Sequence, residues 1–294
     1  MKQEILTKAI NRINSKKFKN QNDFEQKMAS LYADADFINL HAKYKRIIIE
    51  NAKNEVLGEN VDKELEKSLE NRIFELKKKH CVENVELTHS CPLCKDEGYV
   101  NGDMCKCLKR EISEILLTGS GFEKLENFEC SIKTSGKLEP VYNLMQQWCK
   151  SDFKKSLIFL SGGTGVGKTH LMQCMANELI ERGMVVKVVT SFQLNQDFKD
   201  FSKCYDDDIL NKYLECEVLF IDDLGTEPVY KNVTINYLYL IINERRMKKR
   251  PTVITSNLLM SDLYDHYDER IYSRIADRRT SINILLEGED KRLK

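Results

Sequence analysis

Residues 157–183 join an apolar run, LIFLS, to a glycine-rich loop, GGTGVGKTH, and then to an amphipathic stretch, KTHLMQCMANELIERG, that closes on Gly183. The loop satisfies G-x-x-x-x-G-K-[ST] with Gly162, Gly167, Lys168 and Thr169. No other feature constrains the fold as much. A strand that runs through a tight loop straight into a helix needs a parallel neighbouring strand, and a helical layer to cover it.

The same unit has a chemical reading. Glycines at 162, 163, 165 and 167 keep side chains out of the loop, so successive backbone N–H groups can wrap an anion, and the helix starting near Lys168 aims its positive end there. Gly162, Gly163, Thr164, Gly165, Val166, Gly167, Lys168, Thr169 and His170 are therefore read as a cradle for the phosphates of ATP. Lys168 is expected to reach the β- and γ-phosphates and the Thr169 hydroxyl to ligate Mg²⁺. An accidental glycine turn is the bland alternative, and the flanking strand and helix argue against it.

Further short β-branched runs alternate with amphipathic helices, at residues 185–190, 218–222, 252–256 and 282–286, which implies a parallel sheet with helices on both faces. The run VLFIDDLG carries two acids to the carboxyl end of a buried strand, beside the phosphates in an open α/β sheet. Asp222 is placed to hold the Mg²⁺ shell and Asp223 to orient the attacking water, with a helix N-cap as the structural alternative. RPTVITSN ends in Asn257, a polar residue at another strand end. In DERIYSRIADRR, Arg270 and Arg274 lie one helical turn apart while Ile271 and Ile275 form the adjacent stripe. Solvated arginines explain that periodicity equally well.

The chain has 294 residues, 41% of them apolar, enough for two ordinary domains. Its longest uninterrupted apolar run, residues 237–242, falls far short of a signal or membrane segment. A cytoplasmic location and no membrane partner are expected. The 46 basic and 46 acidic residues cancel, so any DNA contact must be local rather than driven by a global field. ERRMKKR, residues 244–250, is read as cations complementing a helix C-terminus. Residues 1–88 show helical periodicity with no proline and one glycine, Gly58. A further helix is expected at 108–117, and Thr118-Gly119-Ser120-Gly121 has the composition of a hinge. The expected domains are 1–118, helical and metal-binding; 119–125, a linker; and 126–294, the nucleotide-binding domain.

Of ten cysteines, one group has metal-ligand spacing: Cys91-x-x-Cys94 and Cys105-x-Cys107, ten residues apart. Four thiolates suit tetrahedral Zn²⁺, and a closed four-ligand site is structural rather than catalytic. A C-P-x-C redox pair is the rival, but it leaves Cys105 and Cys107 without a role. His80, Cys81 and His89 lie near enough in sequence to replace one cysteine.

SGGTGVGKTHL, LFIDDLG, RPTVITSN and ERIYSRI, in this order over about residues 155–290, together resemble the AAA+ ATPases, and more narrowly the DnaC/DnaI-type helicase loaders and the IstB-type transposition helpers. The resemblance implies a five-stranded parallel sheet ordered 5-1-4-3-2 and Asn257 as the γ-phosphate sensor. It also implies Arg274 as an arginine finger offered to a neighbouring subunit, with Arg270 as its accessory. Residues 191–215 resemble an insertion that contacts single-stranded DNA, which implicates Lys199 and Lys203, with Phe198 or Phe201 near a base, although phenylalanines at helical spacing more often belong to the core. Two departures stand out. Asp223 replaces the usual glutamate, so slow hydrolysis is expected, and only 20 residues follow Arg274, so little or no C-terminal lid is expected.

DnaI-type loaders also resemble this chain in carrying a small zinc-bearing N-terminal domain that binds the replicative helicase. The function expected is thus an ATP-dependent loader that binds a hexameric helicase, delivers it to single-stranded DNA, and assembles as a homo-oligomer. The alternatives are an IstB-type transposition helper, a small-molecule P-loop kinase, and a zinc-stabilised adaptor with a passive nucleotide switch.

Overall fold

A computed structural model describes residues 3–118, 120–122 and 124–288. Residues 119 and 123 of the expected linker, and 289–294 of the expected nucleotide-binding domain, lie outside the described residues. The chain divides into two compact units, Ile13–Glu97 and Met1–Arg12 with Gly98–Lys294.

The smaller unit is helical, as its composition predicts. It holds α1 (Gln3–Tyr32) from Ile13 onward, and α2 (Ala35–Leu57) and α3 (Lys63–Lys79), the last two delimited by local chemistry. Asp34 caps α2 by accepting from the Asp36 amide at 2.9 Å, Gly58 ends it in the left-handed region at φ 72°, and Asp62 caps α3 through the Leu65 amide at 2.9 Å. Lys77, Lys78 and Lys79 complement the α3 dipole. The core here is small: Met28, Leu31, Phe37, Ile73 and Val82. His80 Nε2 lies 2.9 Å from Asp34 Oδ2 and ties the end of α3 to the start of α2.

From Gly98 the larger unit continues with a hairpin of two-residue strands, β1 (Tyr99–Val100) and β2 (Asp103–Met104), followed by α4 (Lys106–Leu117), α5 (Phe128–Ser135) and α6 (Glu139–Cys149). Alternation then sets in: β3 (Leu157–Gly162), α7 (Lys168–Glu181), β4 (Val186–Thr190), α8 (Ser191–Cys204), α9 (Asp207–Leu214), β5 (Val218–Leu224), α10 (Asn236–Met247), β6 (Thr252–Ser256), α11 (Asp262–His266), α12 (Glu269–Ala276) and β7 (Ser281–Leu286). The five long strands are all parallel and run β4-β5-β6-β3-β7. Counted along the chain this is 5-1-4-3-2, the AAA+ order expected.

The central strands β3 and β6 are buried along their whole length, whereas edge strand β7 alternates, as its position requires. Helix α7 buries Leu171, Met172, Met175 and Leu179 completely against the sheet. Burial of each such side chain contributes about 1.5–3 kcal/mol, which anchors the glycine loop at the helix N-terminus. At the opposite edge α4 lies along β4. Ser113 Oγ accepts from the Val186 amide at 3.0 Å, and Lys187 Nζ donates to the Leu116 carbonyl at 2.9 Å. Leu108, Ile112, Leu116 and Leu117 are buried. Thus α4, assigned by its sequence position to the N-terminal domain, packs as part of the sheet unit.

Within ERRMKKR, Arg245 is 1% exposed. Its guanidinium donates to Thr252 Oγ1 (2.9 Å) and to the carbonyls of Tyr213 (2.7 Å), Cys216 (2.9 Å), Glu217 (3.2 Å) and Pro251 (2.7 Å). Arg245 and Arg246 lie in the last turn of α10, as expected, and Arg245 is in addition a core strut joining α10, β6 and the start of β5.

Candidate nucleotide site and cysteine cluster

The sheet order sets β3 beside β6, and so brings the glycine loop next to Asn257. Gly162 ends β3 where a Cβ would fall 2.3 Å from the Leu286 carbonyl oxygen, so only glycine fits against β7. Gly167 starts α7 at φ 102°, again in glycine territory. Lys168, 5% exposed, donates to the carbonyls of Gly162 (2.9 Å) and Gly163 (2.7 Å) and to Asn257 Oδ1 (2.7 Å). The Thr169 hydroxyl donates to Asp222 Oδ1 at 3.1 Å, and Thr255 Oγ1 donates to the same oxygen at 2.5 Å. Burial, foremost, pushes the Asp222 carboxyl above its ordinary value, and these hydroxyl bonds oppose the shift.

Asp223 sits two residues past the last regular β5–β6 pair, where the register shifts between Ile221 and Leu224, and its φ of 53° is left-handed. Thr255 Oγ1 accepts from its amide at 2.9 Å, and the Ser191 and Thr226 hydroxyls donate to its carbonyl at 2.8 and 2.9 Å. The bulge separates the two acids: Asp222 is held at the threonines, while Asp223 lines a cleft of about 530 Å³. Thr164, Gly165, Gly167, Lys168, Thr169, His170 and Asn257 line the same cleft. Hydroxyl and carboxylate oxygens beside a lysine fit Mg²⁺ with a nucleotide's phosphates.

Several residues at this site carry no motif. Tyr142 of α6 is 2% exposed and meets His170 Nδ1 through its hydroxyl at 3.0 Å, closing the cleft with Ser131 and Gln173. Glu227, 5% exposed, accepts from the Gly225 amide at 2.9 Å and from the Tyr267 hydroxyl at 2.5 Å. It thereby clasps the turn after β5 to the residue preceding Asp268, the N-cap of α12. Their signals, an acid four residues beyond Asp223 and a tyrosine before the arginine helix, have no meaning until the fold is known.

Arg270 and Arg274 share one face of α12 and do not line the cleft of their own chain. Arg274 Nε donates to Asn243 Oδ1 at 3.0 Å, and Arg270 Nε to Asp268 Oδ2 at 2.8 Å. On α8, Lys199 Nζ rests 4.3 Å over the Tyr230 ring and Lys203 Nζ lies 3.7 Å from Asp200 Oδ1. Phe198 is 1% exposed and belongs to the core, as helical spacing favours, and is not a base contact; Phe201 packs edge-on to Tyr237 at 5.1 Å.

The sulfurs of Cys91, Cys94, Cys105 and Cys107 all lie within 4.8 Å of one another. Tetrahedral Zn–S bonds of ~2.3 Å place sulfurs about 3.8 Å apart, so the donor set fits zinc. Lys95 and Asp96 turn through the left-handed region after Cys94, at φ 51° and 62°. Asp96, 2% exposed, accepts from the amides of Ser90 at 2.9 Å and Cys91 at 2.7 Å, locking the knuckle in a way that the cysteine spacing alone does not reveal. His80 is engaged by Asp34, and His89 Nδ1 lies 3.8 Å from Asp96. Neither histidine, nor Cys81, joins the cluster.

Known proteins align with this architecture. The chain is 28% identical over 228 residues to the phage-like element PBSX protein XkdC of Bacillus subtilis, covering 68% of this chain and 83% of that one. It is 29% identical over 155 residues to the replicative helicase loader DnaC of Escherichia coli, with 51% and 61% covered. It is 38% identical over 118 residues to the chromosomal replication initiator protein DnaA of Aliarcobacter butzleri, with 40% and 26% covered. The chain thus spans about a quarter of that DnaA and about three-fifths of that DnaC. The family described as IstB-like ATP binding protein matches residues 122–294, more than half of the chain and all five strands of the sheet. On that match, the chain belongs to the IstB-like ATP-binding family.

Proposed function

We propose that the protein is an ATPase that loads a hexameric replicative helicase onto single-stranded DNA, in replication initiation or restart, with ATP binding and hydrolysis controlling release. Lys168 neutralises the β- and γ-phosphates, Thr169 and Asp222 hold Mg²⁺, Asn257 senses the γ-phosphate, and Asp223 orients the attacking water. The cation supplies charge neutralisation at the phosphates. Asp223 is one methylene shorter than a glutamate, and in this reading hydrolysis is slow. Arg274, turned away from its own cleft, is supplied to a neighbour in a homo-oligomer, with Arg270 beside it, as other arginine fingers act in trans. Lys199 and Lys203 track the DNA backbone locally. The cytoplasm is the setting this reading requires. No helix among the described residues is long and apolar enough to cross a membrane.

The observation that carries the loader reading is the presence in one chain of a phosphate-binding cleft and a separate helical unit that runs into a four-thiolate cluster. In this reading the helical unit Ile13–Glu97 grips the helicase and the sheet unit, α4 included, acts as the switch, with zinc holding the grip's fold. The test is co-purification of the full chain with hexameric replicative helicases, with and without ATP. ATP-responsive co-elution supports the reading, and its failure with every helicase of the host refutes it. The IstB-like match equally favours a transposition helper, and capture of a transposase instead of a helicase in the same experiment would establish that alternative.

A further inference from the structure

Helix α10 places Asn236, Tyr239 and Asn243 on one face, at i, i+3 and i+7, opposite Arg270 and Arg274 of α12. The Tyr239 ring serves both arginines, whose guanidinium carbons lie 5.0 and 5.6 Å from its centroid. Its hydroxyl accepts from Arg274 Nη2 at 3.3 Å, and Asn243 Oδ1 accepts from Arg274 Nε at 3.0 Å. Arg270 Nη2 meets Asn236 Oδ1 at 3.4 Å. Two cations one helical turn apart repel, and the negative face of an aromatic ring offsets that repulsion. Arg274 Nη1 also donates to Ser273 Oγ at 3.2 Å, and a long side chain held at Nε and both Nη has less rotamer freedom left to lose when it engages a partner.

We propose that Tyr239 and Asn243 are positioning residues that hold Arg274 in the conformation offered to the neighbouring subunit's nucleotide, Tyr239 setting Arg270 and Arg274 together. The inference rests on the reading of Arg274 as an arginine supplied in trans. Neither Tyr239 nor Asn243 lines the cleft of its own chain, so in this proposal the two residues act through the arginines.

The test uses full-length chains at saturating ATP and at concentrations where subunits associate. Arg274→Ala is expected to lower kcat by about 1,000-fold. Tyr239→Leu combined with Asn243→Ala should lower it about tenfold with ATP affinity within about twofold, and Tyr239→Phe, which keeps the ring, should recover most of that loss. Mixed oligomers give the readout that fold damage would not. Lys168→Ala chains supply the arginine without binding ATP, and Arg274→Ala chains bind ATP without supplying it. Adding Tyr239→Leu to the Lys168→Ala chain should depress the restored rate, whereas adding it to the Arg274→Ala chain should not.

Equal restored rates in the two arrangements, weakened ATP binding by the Tyr239 variants, or an unchanged kcat in the double variant would overturn the inference while leaving the trans arginine standing. Wild-type kcat in Arg274→Ala, or mixtures that stay inactive, would overturn the trans arginine and the inference with it.

Discussion

Lys168 of α7 donates to Asn257 at the end of β6 across 2.7 Å. The two residues are 89 positions apart and meet because β3 and β6 are paired in parallel, Ser161 opposite Ser256. The lysine proposed to reach the phosphates is thereby coupled to the proposed γ-phosphate sensor before any chemistry begins. Lys168→Ala is expected to abolish ATP binding. Asn257→Ala should leave affinity within about threefold and lower kcat about 100-fold, the scale of losing one preorganised donor. Fluorescent-nucleotide titration and phosphate release measure the two quantities, and parallel losses of affinity and rate in Asn257→Ala would contradict a sensor.

The two acids of β5 should part company under mutation. Asp223→Asn is expected to keep nucleotide binding and stop hydrolysis, while Asp222→Asn should weaken Mg²⁺-dependent binding. Asp222 also predicts a pH dependence. Its carboxyl is raised in the folded chain, foremost by burial, so the fold binds its proton more tightly than the unfolded chain does. The stability this contributes is present at low pH and is lost as pH climbs from the ordinary aspartate value through the raised one. Without nucleotide, Asp222→Asn should therefore melt above wild type at neutral pH, with the gain fading as the pH falls toward the ordinary aspartate range. A lower melting temperature at neutral pH would mean that the bonds from Thr169 and Thr255 outweigh the burial.

Cys91→Ser with Cys94→Ser should release about one zinc per chain and unfold the knuckle, because metal binding energy in such a site is folding energy. ATP affinity should stay within about threefold, since α7 and its loop retain their packing, and helicase co-elution should disappear. Metal content, nucleotide titration and co-elution would be read on the same preparation. A zinc-free protein that holds helicase normally would remove the cysteines from the proposed grip.

Arg245→Met should be destabilising despite the similar side-chain length. It leaves the carbonyls of Tyr213, Cys216, Glu217 and Pro251 without their shared donor, a loss of about 3 kcal/mol. For a unit of this size that lowers the melting temperature by about 6–12 °C. Calorimetry on the full chain checks it, and a shift under about 2 °C would show that water replaces the guanidinium.

What the sequence made legible follows from how local each signal is. The glycine loop, VLFIDDLG and the strand at 252–256 are contiguous, and their periodicity and end chemistry located the sheet almost to the residue. The order of the strands came from the family resemblance, since alternation alone permits several orders. The pairing of Arg274 with Asn243 and the clasp of Glu227 on Tyr267 join residues 31 and 40 positions apart, which no spacing rule covers. The placement of α4 had a different cause. The sequence marked a helix at 108–117, but a helix assignment does not say what buries it, and the glycine and serine after Leu117 drew the boundary past a helix that packs on β4.

That helix has a consequence for how the ATPase region tolerates dissection. Edge strand β4 presents main-chain groups that Ser113 engages on α4, at the Val186 amide (3.0 Å) and the Met184 carbonyl (3.2 Å). An uncovered parallel edge is a template for another chain's strand. A fragment trimmed to start at the family boundary, residue 122, would retain the phosphate loop and every catalytic candidate, yet would bare that edge and the apolar surface beneath Ile112 and Leu116. Such a fragment is expected to self-associate through β4, whereas one starting at residue 98 keeps its own cover.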